Sequence, residues 1–531
     1  MMTLNIANML RPEVFDHPVK NIELIETHIS AVILTGDYVY KIKKPVDFGF
    51  LDFSTLKKRH TCCLEELRLN RRMAPEIYLD VVAITGTPES PVIGGSGEVI
   101  EYAVKMAQFP QSAQLDHRLA AGQLKLEHMD AIAHMVADFH QRIDVADDTM
   151  DFGTKAAVYH PVDENFRQIA EHIDTAPYAD TLDTLEQWSR YGFERLSPVF
   201  EQRKHDGFIR ECHGDMHLRN MLWLDSAEGG VKGGEEGRAD GGRPLAFDCI
   251  EFNANLRWID VISEVAFLVM DLQSRQQLQL ANRFLNSYLE ATGDYAGVSV
   301  LPFYLCYRAL VRAKVDALRL EQKNLTAQER AQSLAEFESY LELASGYVKD
   351  AKPKLIIMRG LSASGKSTVS QQLLDAAGMI RIRSDVERKR LFDIAASTHA
   401  ADDIDTGIYT TQASEQTYAK LRELASQVIS AGYSVIVDAA FLKYEQRQPF
   451  LQLAKSLAVP CIILEVTAPA EVLRQRIIAR TNDVSDAGLA VLEHQLSCWQ
   501  PLHQQERKNA VIVDTMEELP IELVIDAIEA D

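Results

Sequence analysis

Residues 355–368 read LIIMRGLSASGKST, an apolar β-forming run followed by Gly360, Gly365, Lys366 and Ser367 in GxxxxGK[ST] spacing. This run constrains the local fold strongly. A strand ends in a loop whose backbone N–H groups turn inward, and a helix starts where the loop closes. The two glycines supply backbone freedom, Ser362, Ser364 and Thr368 add hydroxyls, and Lys366 adds a cation. The result is a cradle for phosphates, with the Ser367 hydroxyl placed to ligate Mg2+. VSQQLLDAAG continues with helical apolar spacing and stops at Gly378. The expected ligand is ATP with Mg2+.

With 531 residues, 47% hydrophobic and 25% charged, the chain is globular and too long for one ordinary domain of roughly 100–200 residues. Composition changes at KDAKPK, where Pro353 precedes the phosphate-loop strand, so the expected domains are 1–348 and 349–531. The net charge of −22 argues against nucleic acid and anionic membranes as partners, because polyanion binders draw affinity from Lys and Arg. The seven cysteines are scattered, and Cys62 and Cys63 have no Cys or His partner at zinc spacing. Neither a disulfide framework nor a structural zinc site is expected. No segment approaches about 18 uninterrupted apolar residues, and the first twenty lack an apolar core, so a soluble cytoplasmic protein is expected.

Within residues 1–348, SAVILTGDYVYKIKK has two alternating runs around Gly36 and Asp37, a hairpin signal. A helical pattern follows from about Thr55 to Met73, then strand-like YLDVVAIT and EVIEYAVKMAQF. After Leu115 helical spacing prevails, interrupted by short strands near Phe208 to Asp248. A β-rich lobe therefore precedes an α-rich one. The glycine-dense stretch over 225–243 cannot support a core and is read as a mobile loop joining two short strands.

Phosphoryl transfer asks a protein mainly for positioning and charge neutralisation. After the phosphate loop, RIRSDVERKR puts Asp385 at the end of a strand, where it can accept a hydroxyl proton, with Arg388 one turn later; the competing reading makes Ser384 or Asp385 a helix cap. YSVIVDAAF ends a buried-strand pattern on Asp438, a carboxylate suited to Mg2+. In EVLRQRIIAR, Arg476 and Arg480 share a helix face and suit a lid over phosphates, or a solvated surface. GLSASGKS, RSDVERKR, VIVDAAF and LRQRIIAR together resemble the P-loop kinase group that includes gluconate kinase, zeta toxin and the 5′-hydroxyl polynucleotide kinases, over about residues 352–531. The resemblance implies an α/β P-loop fold with a mostly parallel sheet. It also implies acceptor binding by Asp385 and Arg388 and lid roles for Arg476 and Arg480.

A second constellation lies upstream. ECHGDMHLRNMLWLD holds Asp215 and Asn220, and PLAFDCIEFN holds Asp248 and Glu251. Asp215 can deprotonate a hydroxyl, while Asn220 and Asp248 can ligate Mg2+. HGDxHxxN resembles the aminoglycoside phosphotransferase and choline kinase superfamily, over about residues 25–345, which implies an α+β, bilobal, protein-kinase-like fold. Lys41 then corresponds to the phosphate lysine and Glu66 to its partner. Lys43 and Glu65 stay open as alternatives, because period two gives Lys41 and Lys43 the same face. Met106 sits where a hinge between lobes would lie, and Asp260 and Glu264 are read as supports of the catalytic loop or as helix caps rather than reacting groups. Asp47, Phe48 and Gly49 spell DFG in the wrong place, before the catalytic loop, and are read as chance. No GxGxxG loop precedes Lys41.

The sequence thus points to two phosphotransferase modules that pass the γ-phosphate of ATP to hydroxyl groups of small-molecule acceptors. Two alternatives remain: an N-terminal regulatory pseudokinase controlling a C-terminal ATPase, and a 5′-hydroxyl nucleic-acid kinase.

Overall fold

The computed structural model describes residues 4–47, 51–225, 241–322, 325–394, 408, 410–479, 488–516 and 521–529. The chain packs as two compact units, residues 1–167 with 193–271 and residues 168–192 with 272–531.

The first unit opens with β1 (Glu23–Glu26), β2 (Ser30–Leu34), β3 (Tyr38–Lys43), helix α1 (Leu56–Asn70), β4 (Tyr78–Thr87), β5 (Ser90–Ile93) and β6 (Val99–Ala107). Among the described residues these six strands form an antiparallel sheet in the order β1-β2-β3-β6-β4-β5. Alternation along β3 decides its chemistry. Tyr40 and Ile42 enter an apolar cluster with Ile33 and Ala103, while Val39 packs on the opposite face with Leu67 of α1, the side on which Lys41 and Lys43 meet Glu66. Thr55 starts α1 by accepting the Lys58 N–H at 3.3 Å.

An α-rich stretch follows as α2 (Leu115–Ala120), α3 (Leu126–Arg142), α4 (Lys155–His172), α5 (Ala179–His205), β7 (Ile209–Glu211), β8 (Met221–Leu224), β9 (Arg243–Ala246), β10 (Trp258–Asp260) and α6 (Val261–Ser274), of which residues 168–192, the end of α4 and the first half of α5, belong to the second unit. A six-stranded lobe carrying α1, followed by a helical lobe, is the protein-kinase-like arrangement expected. β8 and β9 are the two short strands flanking the glycine-rich stretch; residues 226–240 of that expected loop lie outside the described residues, as do Phe48 and Gly49.

In the second unit, α7 (Leu278–Thr292), α8 (Leu301–Leu320) and α9 (Ala327–Tyr347) precede β11 (Leu355–Arg359), α10 (Lys366–Ala377), β12 (Ile380–Arg383), α11 (Ser384–Leu391), α12 (Thr411–Ser430) and β13 (Val435–Asp438). Then come α13 (Tyr444–Ser456), β14 (Cys461–Thr467), α14 (Ala470–Ala479), α15 (Leu489–Cys498), β15 (Ala510–Asp514) and α16 (Ile521–Glu529). The five described strands are all parallel, in the order β12-β13-β11-β14-β15. Helices cover both faces of such a sheet, which is why LIIM and VIV are uninterrupted apolar runs and fully buried. The composition break at 348/349 falls inside this unit, because α7 packs on β12 and α10. Among the described residues no helix is long and apolar enough to cross a membrane.

Candidate functional site

In the second unit, register puts Met358 of β11 beside Asp438 of β13, and Asp438 beside Arg383 of β12. The loops leaving these strands therefore open side by side at the carboxyl edge of the sheet, where α/β folds bind ligands. Gly360 leaves β11 with no room for a side chain, since a Cβ there would lie 2.5 Å from the Val466 carbonyl oxygen. Gly365 caps α10 at φ 96°, a left-handed conformation that favours glycine. Lys366 Nζ donates to the Leu361 carbonyl at 2.8 Å, Ser362 N to Gln495 Oε1 at 2.7 Å, and Thr515 Oγ1 to the Ser364 carbonyl at 2.9 Å. Ser364 Oγ is buried without a hydrogen-bond partner among the described residues.

Asp438 is buried at the end of β13, and Ser370 Oγ donates to its Oδ2 at 3.0 Å. Ser367 and Asp438 line one cavity and offer hard oxygen donors, the set Mg2+ prefers. Asp385 falls in the first turn of α11, whose cap is Arg383 with no side-chain cap bond, so the capping alternative for Asp385 and Ser384 is not what forms. The cavity, about 1040 Å3, is lined by Gly365, Lys366, Ser367, Thr368, Asp385, Arg388 and Asp438 among others. Burial pushes the Asp385 carboxyl above its ordinary pKa, against the pull of Arg383 and Arg388. Arg388 Nη1 donates to the Ile408 carbonyl at 2.9 Å and lies 3.3 Å from Ser414 Oγ.

Of the two arginines expected in a lid, Arg476 lies in α14. Arg476 donates to Thr515 Oγ1 at 2.9 Å, the Thr515 carbonyl at 3.0 Å and the Ala363 carbonyl at 3.3 Å. It is fastened against the backbone of the phosphate loop. Arg480 lies outside the described residues.

In the first unit the candidate residues also converge. Asn220 Nδ2 donates to Asp215 Oδ2 at 2.8 Å and to the Asp215 carbonyl at 3.0 Å. Phe247 N donates to the Asn220 carbonyl at 3.0 Å, which sets Asp248 one residue beyond. Asp248 takes φ 63°, a left-handed conformation Asp tolerates better than most residues, and its N–H donates to Tyr78 Oη at 3.0 Å. From there its carboxylate pairs with Lys41, whose Nζ also lies 2.8 Å from Glu66 Oε1. Lys43 pairs with Glu66 Oε2 at 2.7 Å and with Glu251. Glu65 instead meets Arg68 and Arg257. Burial alone would depress the Lys41 ammonium, but Asp248 and Glu66 outweigh it and hold its pKa above the ordinary lysine value.

The backbone of the HGDxHxxN loop is braced by α6. Glu264 Oε1 accepts from His213 N at 3.0 Å and lies 3.0 Å from His140 Nε2, while its Oε2 accepts from Gly214 N at 2.6 Å. His213 Nε2 lies 2.9 Å from the Phe247 carbonyl, which requires a proton on that nitrogen, and burial keeps the ring neutral by lowering its pKa. Asp260 pairs with Arg203 at 2.7 and 2.8 Å and accepts from Ile262 N at 2.9 Å. Both acids support structure, as the sequence suggested.

Residues 355–502 match a family model described as an AAA domain. The matched stretch starts at β11 and contains the phosphate loop, Asp385, Asp438 and α14. Over the longer chain, uncharacterized protein Rv2004c of Mycobacterium tuberculosis (strain ATCC 25618 / H37Rv) is 29% identical across 477 residues, 89% of each chain. A gluconokinase from Sinorhizobium meliloti 1021 is 21% identical with a TM-score of 0.24, covering 34% of this chain and 91% of that one. A choline/ethanolamine kinase family protein from Mesorhizobium loti is 11% identical with a TM-score of 0.34, covering 61% of this chain and 92% of that one.

Several participants escaped the sequence reading. Arg381 and Arg383 line the same cavity as Lys366, and their alternation in IRIR, which gives them one face, was an available signal. Tyr78, and Glu251 as the partner of Lys43, had no local signal, since their contacts join segments far apart in the chain.

Proposed function

We propose that the chain is an ATP- and Mg2+-dependent phosphotransferase of the cytoplasm with two modules, one holding Lys41, Asp215 and Asp248 and the other the phosphate loop, each passing the γ-phosphoryl group of ATP to a hydroxyl of a small molecule. One observation carries it: Lys366 and its loop, Asp438 and Asp385 open onto a single cavity. In that cavity the loop N–H groups and Lys366 hold the phosphates, with Arg476 fixing the loop from behind. Asp385 and Arg388 orient the acceptor, and Asp385 takes the hydroxyl proton as the new O–P bond forms and ADP departs with the bridging oxygen. Ser367 and Asp438 would hold Mg2+, which when bound neutralises charge on the β- and γ-phosphates. In the first module Lys41, oriented by Glu66, would meet the phosphates, Asp215 would take the proton, and Asn220 and Asp248 would hold the metal.

The test incubates the chain with ATP, Mg2+ and a bacterial metabolite extract and identifies masses that gain a phosphate. Lys366→Ala should delete one set of products and Asp215→Ala another, and a product set untouched by both substitutions would refute the reading. A regulatory first module is favoured by one feature: the turn joining β1 to β2, Thr27–Ile29, is three residues long and contains no glycine to fold over phosphates. Mg2+-dependent ATP binding that survives in Lys366→Ala and vanishes on adding Asp248→Asn would argue against it.

A further inference from the structure

Asn282, Asn286 and Glu290 recur every four residues on α7 and therefore share one face. That face covers β12, the edge strand of the parallel sheet. Asn286 Oδ1 accepts from Arg381 N at 2.8 Å and its Nδ2 donates to the Met379 carbonyl at 3.0 Å, so one side-chain amide occupies the place of a neighbouring strand's peptide. A turn earlier, Asn282 Nδ2 donates to the Asp375 carbonyl at 3.0 Å. These bonds fix the helix in register with the strand. A turn later, Glu290 Oε1 accepts from Arg383 Nη1 at 3.0 Å, and its Oε2 lies 3.4 Å from Arg381 Nη2. The Glu290 carbonyl also accepts from Arg390.

Arg381 and Arg383 line the cavity with Lys366, Asp385 and Asp438, and Arg383 is in direct strand register with Asp438. Arg383 therefore stands between carboxylates that compete for it. If Glu290 released it, the guanidinium would close onto Asp385 or Asp438 and neutralise the proton acceptor or the metal carboxylate. We propose that Glu290 is a positioning residue of the P-loop site, holding Arg383 at the cavity wall as a cation for the phosphoryl group in flight and away from Asp385 and Asp438. Such a cation acts on charge that develops during transfer, so its effect belongs to the transition state more than to nucleotide binding. The inference rests on the phosphotransferase reading of this cavity, and it makes α7, which the sequence assigns to the first module, a working part of the second.

The test measures affinity of the full chain for ADP with Mg2+, and for ADP with Mg2+ and aluminium fluoride, a mimic of the transferring phosphoryl group. Binding is assigned to this loop by its loss in Lys366→Ala. Glu290→Gln, which keeps size and one acceptor, should weaken the fluoroaluminate complex roughly 10-fold or more while changing ADP affinity less than about 3-fold. Arg383→Gln should do the same, and the double variant should be no weaker than Arg383→Gln alone, because Glu290 acts through Arg383. Glu290→Asp should recover part of the loss. Additive losses, an unchanged fluoroaluminate affinity in Glu290→Gln, or ADP affinity falling in step with it would overturn the inference while leaving the phosphotransferase reading intact. A parent chain that binds neither ligand would overturn both.

Discussion

Lys41 and Lys43 share a face of β3 and share Glu66, yet they differ in exposure. The Lys41 side chain is 13% exposed and reaches Asp248, whereas Lys43 is 1% exposed and closed in by Glu66 and Glu251. Lys43→Met would leave Glu251 buried without its cation and should lower the stability of the first unit by about 3–5 kcal/mol in urea unfolding. Lys41→Met, at the site open to a phosphate, should instead show in nucleotide affinity. Asp385 carries a second prediction at this scale. Its carboxyl must be ionised to accept a proton and its pKa is raised by burial, so kcat/KM of the C-terminal module should fall as pH drops through that raised value, above the ordinary Asp range. The linkage has the opposite sign for stability. A folded pKa above the unfolded one means ionisation costs stability at neutral pH, so Asp385→Asn should abolish turnover yet raise Tm.

Elements bring these residues together by two devices. In the second unit, adjacent parallel strands β11, β13 and β12 end together, so the phosphate-loop motif, Asp438 and Asp385 from distant segments converge on one cavity. In the first unit, α6 holds the HGDxHxxN loop through Glu264, which satisfies two backbone N–H groups and meets His140. Glu264→Ala should destabilise this unit by roughly 1–3 kcal/mol for each orphaned donor and lower first-module turnover without changing second-module products. Many of these elements were legible in the chain. The hairpin around Gly36, the helix begun by Thr55 and stops such as Gly378 follow from period, caps and turn residues acting within a few positions. The placement of Arg476 was not, because helical spacing says which residues share a face but not what that face meets. In the structure it meets Thr515 and the Ala363 carbonyl.

Over the whole molecule, the net charge of −22 bears on the partner class. A 5′-hydroxyl oligonucleotide should gain no label from ATP and show no salt-dependent retention; labelling at moderate salt would move the acceptor class to nucleic acid. The packing of the chain departs most from the linear reading at 348/349, where composition breaks but α7 to α9 belong to the same unit as the P-loop sheet. Strand β12 presents an edge that some element must cover, and nothing within the P-loop stretch indicates that Asn286 does so. The phosphate-loop motif, the HGDxHxxN motif and the strand-end carboxylates are readable in the linear chain, because such motifs set given residue types at short, fixed spacing. Which carboxylates the cations Lys43 and Arg383 meet comes from packing: Glu251 across 208 positions and Glu290 of α7 across 93. Such pairs depend on which faces pack, and local spacing carries no record of a partner so far along the chain.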